Sequence, residues 1–157
     1  MRLFPALSLL LLVSPLLLAV SCGKDEPRRE PLPAGEPTPM VIDAETLRAN
    51  RAEIVLVDMQ SKQEDFAKAH IPGAIHASIE DFRTKDKYLA PVADLEKTLG
   101  SLGIREDSWV VAYDEKDGRN ATWLWYTLHQ LGHVRFSLLD GNMRDFKDEL
   151  EGGTDRK

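Results

Sequence analysis

Residues 110–131 read VVAYDEKDGRNATWLWYTLHQL, and this stretch predicts a buried strand, a polar loop and a helix. Val110 to Tyr113 form the short apolar run that is typical of a central strand. Charged residues interrupt the run from Asp114 to Arg119. Asn120 is a good N-cap residue, and a helix is predicted from Ala121 to Leu131. A strand–loop–helix unit directs backbone N–H groups at its loop, which suits an anion or a nucleophile that becomes anionic.

Strands and helices alternate along residues 40–150, which predicts an α/β fold with a central, largely parallel sheet flanked by helices. Strands are predicted at 40–42, 54–57, 108–113 and 136–139. Helices are predicted after Asp43, after a capping box of Ser61 and Glu64, after Pro91 and from Met143 to Leu150. The helix after Pro91 has an apolar face of Val92, Leu95, Leu99 and Leu102.

Composition limits the classes of function. The chain has 157 residues, 43% of them hydrophobic, and a net charge of −6. No basic patch offsets this charge, so the sequence argues against a nucleic acid partner. Cys22 is the single cysteine, which excludes an intramolecular disulfide and a cysteine-based metal site. The sequence indicates no cofactor and no metal.

The N-terminal third predicts a lipoprotein. Residues 1–21 have one charge, Arg2, before an apolar run, as in a signal peptide. Leu18 to Cys22 resembles a bacterial lipobox, in which the cysteine is acylated and becomes the mature N-terminus. The alternatives are an uncleaved anchor, or a signal cut near Ser21 beside an incidental cysteine. We expect a lipid anchor, including palmitate, at Cys22.

Two further segments lie outside the predicted domain at 40–150. Residues 22–39 contain five prolines among charged residues, which predicts an extended linker between membrane and domain. Residues 151–157 form a polar tail. The residue that follows Cys22 is not an aspartate. This favours sorting of the lipoprotein to the periplasmic side of the outer membrane if the organism is Gram-negative. The expected location is the cell envelope.

Three histidines and three aromatic residues are candidates for a functional site, and we interpret them as structural residues. His70 precedes Pro72 and Gly73, and we interpret it as a packed histidine in a turn. Trp123, Trp125 and Tyr126 follow the loop at helical spacing, which favours core packing over a ligand platform. His129 and His133 have no partner at metal-ligand spacing, and we interpret them as surface or cap residues.

Three motifs, in order, resemble those of rhodanese-like domains. They are AHIPGAI at 69–75, YDEKDGRNA at 113–121 and LDGNMRDF at 139–146. The resemblance covers residues 40 to 150 and implies a rhodanese-like three-layer fold. Arg119 falls where the family has its loop arginine.

The departures from the family are informative. The position at which the resemblance places the catalytic cysteine holds Asp114, and Asp117 replaces the family glycine one position before Gly118. Gln60 replaces an arginine that follows the second strand. Asn142 and Phe146 replace a glycine and a tryptophan in the closing motif. The chain is most similar to the non-catalytic half of two-domain rhodaneses.

The resemblance implies chemistry that Asp114 cannot perform. Sulfur transfer in this family needs a thiolate that holds the sulfur as a persulfide, and a carboxylate has no sulfur. We instead expect the Asp114 carboxylate to accept backbone N–H groups of the loop. Such hydrogen bonds favour the charged carboxylate.

These observations give a first hypothesis and three alternatives. The first is a membrane-tethered, non-catalytic binding or interaction module with a protein partner in the envelope. Its binding loop would be Asp114, Glu115, Lys116, Asp117, Gly118 and Arg119. The main alternative is a sulfurtransferase-related enzyme that works only with a partner supplying the reactive cysteine. Weaker alternatives use Asp114 as a nucleophile, or Asp114 and Asp117 as cation ligands.

Overall fold

The computed structural model describes residues 37–141 and 143–152. Its strands are β1 (Val41–Ile42), β2 (Ile54–Asp58), β3 (Ile75–His76), β4 (Trp109–Tyr113) and β5 (Phe136–Leu139). They form one sheet in the order β1-β5-β4-β2-β3, and all neighbouring pairs are parallel. The structure therefore confirms the predicted α/β fold with a central parallel sheet.

Helices connect the strands, as parallel pairing requires. They are α1 (Ala44–Ala49), α2 (Gln63–Lys68), α3 (Val92–Ser101) and α4 (Arg119–Gln130), with 3₁₀ helices at Ile79–Phe82 and Met143–Phe146. The predicted cap of α1 is confirmed, because the Asp43 side chain accepts the Thr46 N–H at 2.8 Å.

Strand β4 lies at the centre of the sheet, and all five of its residues are buried. Val110 and Ala112 belong to the larger core, together with residues of α3 and α4. Trp109, Val111 and Tyr113 belong to the second core, with residues of α1 and the last 3₁₀ helix. Successive residues of a strand face opposite sides of a sheet. The apolar run of β4 is therefore explained by helices that cover both faces, in three layers.

The predicted start of α4 is wrong. Its N-cap is Gly118, in the left-handed region at φ +76°, and Asn120 lies inside the first turn. The Asn120 side chain bonds instead to residues that follow β2. Asp114 accepts the first-turn N–H groups of Asn120 and Ala121, and Asp117 Oδ1 accepts that of Arg119, so loop carboxylates replace an N-cap side chain.

The predicted capping box of α2 is also wrong. The helix begins after Lys62, which makes no capping hydrogen bond through its side chain. The Ser61 hydroxyl donates to Glu115 Oε1 at 3.0 Å, across the gap between two strand ends. A tertiary contact therefore replaces the local cap that Ser61 and Glu64 suggested.

The last predicted helix, Met143 to Leu150, is shorter than expected. Only the 3₁₀ helix Met143–Phe146 forms. The chain then leaves helical geometry to pair Glu151 with His70, through two backbone hydrogen bonds of 2.9 Å each. These long-range bonds satisfy backbone groups that a longer helix would have paired locally.

Two predicted core positions are exposed. Leu95 and Leu99 of α3 are buried as predicted, but Val92 is 56% exposed. On α4, Trp123 and Trp125 pack against the larger core, whereas Tyr126 is 40% exposed. Both exposed residues follow the helical spacing of a buried face, so the spacing alone overestimated the width of that face.

The N-terminal end of the described chain is fastened to β5. The Thr38 hydroxyl donates to the Phe136 carbonyl at 3.1 Å, and Pro39 accepts from the Ser137 hydroxyl at 2.6 Å. The predicted signal peptide, Cys22 and most of the proline-rich linker lie outside the described residues, as does Asn142. Among the helices that the structure describes, none is long and apolar enough to cross a membrane.

Candidate functional site

The candidate binding loop joins the carboxyl end of β4 to the start of α4. Asp114 follows Tyr113, the last residue of β4, directly. In open α/β sheets, ligands bind at the carboxyl ends of the strands. The loop therefore occupies the position that favours a binding site in this class of fold.

The Asp114 carboxylate fills the concave side of this loop. Its Oδ1 accepts the backbone N–H groups of Lys116 and Gly118, both at 2.9 Å. Its Oδ2 accepts those of Asn120 at 3.0 Å and Ala121 at 3.4 Å. Asp114 is only 5% exposed. The prediction that the loop N–H groups bind its own carboxylate is confirmed.

Gly118 and Arg119 set the outer shape of the loop. Gly118 adopts φ +76°, a conformation that glycine reaches without steric cost. The Arg119 side chain points outward, and its Nη2 lies 3.1 Å from Asp117 Oδ2. Both partners of this ion pair are largely exposed. Arg119 therefore does not strengthen the binding of the Asp114 carboxylate.

Ser61 and Asn120 connect the loop to the end of β2. The Asn120 side-chain amide donates to the Met59 carbonyl at 3.1 Å and to the Ser61 hydroxyl at 3.2 Å. The Ser61 hydroxyl in turn donates to Glu115 Oε1. Sequence reasoning did not assign Ser61 or Asn120 to the site. The positions of these two residues in the sequence could have indicated this contact, because residues that follow neighbouring parallel strands meet at one edge of the sheet.

The side chains of the loop line a polar cavity of about 250 Å³. Its lining residues are Ser61, Asp114, Glu115, Lys116, Asp117, Arg119 and Asn120. Within the described chain, Glu115 Oε2 is buried and has no hydrogen-bond partner. The loop carries three acidic and two basic residues. Because the Asp114 carboxylate already holds four N–H groups, the cavity is poorly suited to an added anion.

A buried polar network lies beside the loop, at the ends of β2 and β4. Asp58, at the end of β2, accepts the backbone and side-chain N–H groups of Gln60 at 2.8 and 2.9 Å, and also the Tyr113 hydroxyl. The Tyr113 oxygen accepts the Ile71 N–H at 2.9 Å. Burial raises the pKa of Asp58 and that of Tyr113. Ionisation of Asp58 in the folded protein therefore lowers the free energy of unfolding.

The histidines pack as structural residues. The His70 ring stacks on Phe66 with centroids 4.0 Å apart, and its Nδ1 lies 2.9 Å from the Phe66 carbonyl. His129 is exposed and stacks on Trp125, while His133 Nε2 lies 2.9 Å from the Ser108 carbonyl. The interpretations as turn, surface and cap residues are confirmed.

Within residues 37–141 and 143–152, no cluster of three or more His, Cys, Asp or Glu residues could hold a metal ion.

Comparison with known proteins identifies the family. The model of the rhodanese-like domain matches residues 43–149. The chain belongs to the rhodanese-like domain family. The match includes β2 to β5 and the whole loop that follows β4, so the family resemblance of the three sequence motifs is confirmed.

Relatives of this rhodanese-like domain are longer proteins. The thiosulfate sulfurtransferase of Pseudomonas aeruginosa is 33% identical over 113 residues, which cover 67% of this chain and 41% of that protein. The bovine thiosulfate sulfurtransferase is 32% identical over 93 residues, covering 55% and 31%. The chain thus spans less than half the length of either relative.

Solved structures confirm the rhodanese fold. The crystal structure of the Escherichia coli 3-mercaptopyruvate sulfotransferase SseA superposes with a TM-score of 0.64 at 25% identity, over 74% of this chain and 51% of that one. The 3-mercaptopyruvate sulfurtransferase from Leishmania major gives 0.66 at 21% identity, over 80% and 39%. This second likeness concerns the fold alone.

Proposed function

We propose that this protein is a non-catalytic rhodanese-like module that binds a protein partner in the cell envelope. In this proposal, Asp114 takes the place of the nucleophilic cysteine, and a lipid on Cys22 holds the chain at a membrane. The observation that carries the proposal is the hydrogen bonding of Asp114. Four loop N–H groups bind its carboxylate, so the loop contains its own anion.

The chemistry of sulfur transfer supports a non-catalytic role. A persulfide forms when a thiolate attacks a sulfane sulfur, and the Asp114 oxygens cannot carry that intermediate. The only cysteine of the chain, Cys22, has no free thiol once it is acylated. An anionic sulfur donor would also meet the charge of Asp114 and find the loop N–H groups occupied.

The placement of the loop supports a role in binding. Thr38 contacts Phe136 at the amino end of β5, whereas the loop lies at the carboxyl end of the neighbouring β4. A membrane tether that enters at the amino end leaves the loop at the opposite end of the sheet. Lys116, Asp117 and Arg119 are exposed there and are available to a partner.

An activity assay tests the absence of catalysis. The domain from residue 37 onward, with thiosulfate or mercaptopyruvate and cyanide, should give no more thiocyanate than the blank without protein. Asp114→Cys serves as the comparison, because it returns a thiol to the same loop. Turnover by the wild-type domain that survives repurification would refute the proposal.

Site-specific crosslinking in cells tests the interaction. A photo-crosslinking residue at Lys116 should capture a discrete envelope protein, whereas the same residue at Lys97, exposed on α3, should not. Equal capture from both positions would contradict a loop-centred interface. The alternative of an enzyme that borrows a cysteine predicts that the captured partner is a sulfurtransferase, and that mixing the two raises cyanolysis above the partner alone.

A further inference from the structure

Arg135 is a buried cation at the end of the sheet opposite to the loop. It directly precedes β5 and is only 6% exposed. Its carbonyl oxygen accepts the Val110 N–H at 2.9 Å, and His133 Nε2 lies 3.2 Å from the same oxygen. These backbone contacts fix the point from which the side chain departs.

The guanidinium of Arg135 is only partly satisfied. Its Nη1 donates to the Asp107 carbonyl at 3.2 Å, and its carbon lies 5.9 Å from the centre of the Trp109 ring. Among the described residues, neither Nε nor Nη2 has a hydrogen-bond partner, and no carboxylate forms a salt bridge with Arg135. The burial of unpaired N–H donors of a charged group carries a desolvation cost.

The two unpaired atoms form one edge of the guanidinium. Nε–H and one Nη2–H point in nearly the same direction, which is the geometry that binds both oxygens of a carboxylate. The opposite end of the group already donates to Asp107. The free edge is therefore a complete two-donor fork without an acceptor.

Arg135 lines two cavities at the amino end of the sheet. One of about 750 Å³ is bordered by Arg105, Glu106, Asp107, Gly132, Val134 and Arg135. The other, of about 360 Å³, reaches Ile54 at the start of β2. The two arginines and two acids of the larger cavity balance in charge. One added negative charge is therefore tolerated better than the two of a phosphate.

We propose that Arg135 forms a binding site for a carboxylate with a single negative charge. The carboxylate oxygens would accept Nε–H and Nη2–H side by side. Both nitrogens are covered in the structure, so entry requires a rim side chain to move. Arg105 and Val134 border the larger cavity and are largely exposed. This site is independent of the loop and of the function proposed for it.

The carboxylate has two sources that an experiment can separate. One is a small organic acid from solution, for which acetate is the probe. The other is this chain itself, because Glu36 directly precedes the segment that contacts Phe136 through Thr38. Glu36 lies outside the described residues, and Glu36→Gln removes that source.

Side-chain NMR of the ¹⁵N-labelled full-length chain tests the site directly. Addition of acetate should shift the Arg135 Nε–H resonance along a saturable curve, with sodium chloride at equal ionic strength as the control. Arg119, which is exposed on the loop, should show only the salt effect. A saturable shift in the wild type supports a solution ligand, and a saturable shift that appears only in Glu36→Gln supports the chain's own carboxylate.

Arg135→Lys, made in the Glu36→Gln background, supplies a second measurement. It keeps the positive charge and removes the fork, so the rise in unfolding temperature caused by acetate should require about tenfold more acetate, as for loss of one charge-assisted hydrogen bond. No saturable shift at Arg135 in either the wild type or Glu36→Gln would overturn the proposal. In the Glu36→Gln background, an equal response to acetate with Arg135 and with Arg135→Lys would also overturn it.

Discussion

The backbone N–H of Asn120 donates to Asp114 Oδ2 at 3.0 Å, so one carboxylate joins the end of the central strand to the first turn of α4. The same side chain accepts three further N–H groups of the loop. Asp114 thereby performs the capping that Asn120 was predicted to perform. The N–H groups at a helix start favour a negative charge, which here is covalently part of the chain.

Replacement of Asp114 should therefore destabilise the domain. Asp114→Asn keeps the shape of the side chain but removes its negative charge. It also replaces one acceptor oxygen by an NH₂ donor that faces the N–H groups of the loop. We expect a loss of about 1–2 kcal/mol in the free energy of unfolding at pH 7, as for a charge-assisted hydrogen bond. Asp117→Asn, in the same loop but exposed, is the matched control and should change it by less than about 0.5 kcal/mol. Urea unfolding measures both, and equal midpoints for wild type and Asp114→Asn would contradict the result expected for a filled loop.

Two glycine-to-alanine substitutions should have opposite signs. Gly118 has φ +76° and no atom near an added Cβ, so Gly118→Ala is penalised by backbone strain alone, at about 1–2 kcal/mol. Gly100 lies within α3 with open space around it, so Gly100→Ala should stabilise by about 0.5–1 kcal/mol. Thermal unfolding of both variants checks the pair. A stabilising Gly118→Ala would show that the loop does not need its left-handed turn.

Asp58 should make stability fall as the pH rises. Burial raises the pKa of Asp58 in the folded state, against the hydrogen bonds from Tyr113 and Gln60. The native state therefore holds this proton more tightly than the unfolded chain, whose pKa is near 4. Its contribution to stability is complete below that value and is lost as the pH rises through the folded value.

Asp58→Asn removes this titration. The free energy of unfolding of the variant, minus that of the wild type, should increase as the pH is raised from about 4 toward 7. Urea unfolding at several pH values measures the difference, with Asp86→Asn on an exposed loop as the control. A difference that stays constant with pH would show that Asp58 ionises equally easily in both states.

Cys22 should carry the lipid. Metabolic labelling with an alkyne fatty acid is expected to mark the wild-type chain and not Cys22→Ala, because no other cysteine is present. The mature wild-type protein should also lack residues 1–21. Equal labelling of both proteins, or a mature chain that retains Met1, would refute the anchor.

Much of the fold followed from local sequence. The apolar runs at β2 and β4 predicted strands covered on both faces, because only buried strands lack the polar alternation of an exposed sheet. Asp114 was also predicted to bind the loop N–H groups, since a short loop before a helix brings its backbone donors to the residue that ends the strand.

The tertiary structure decided what residues distant in sequence do together. Ser61 and Glu64 have the spacing of a capping box, yet Ser61 bonds to Glu115, which is adjacent only because β2 and β4 pair. The final helix stops early because Glu151 meets His70. Local patterns give each segment its preferred conformation, whereas hydrogen bonds and burial across strand ends exist only after the sheet has formed. The sequence thus determined the alternation of strands and helices and the place of the loop. The packed sheet decided where helices begin and end, the network of Asp58 and the unpaired edge of Arg135.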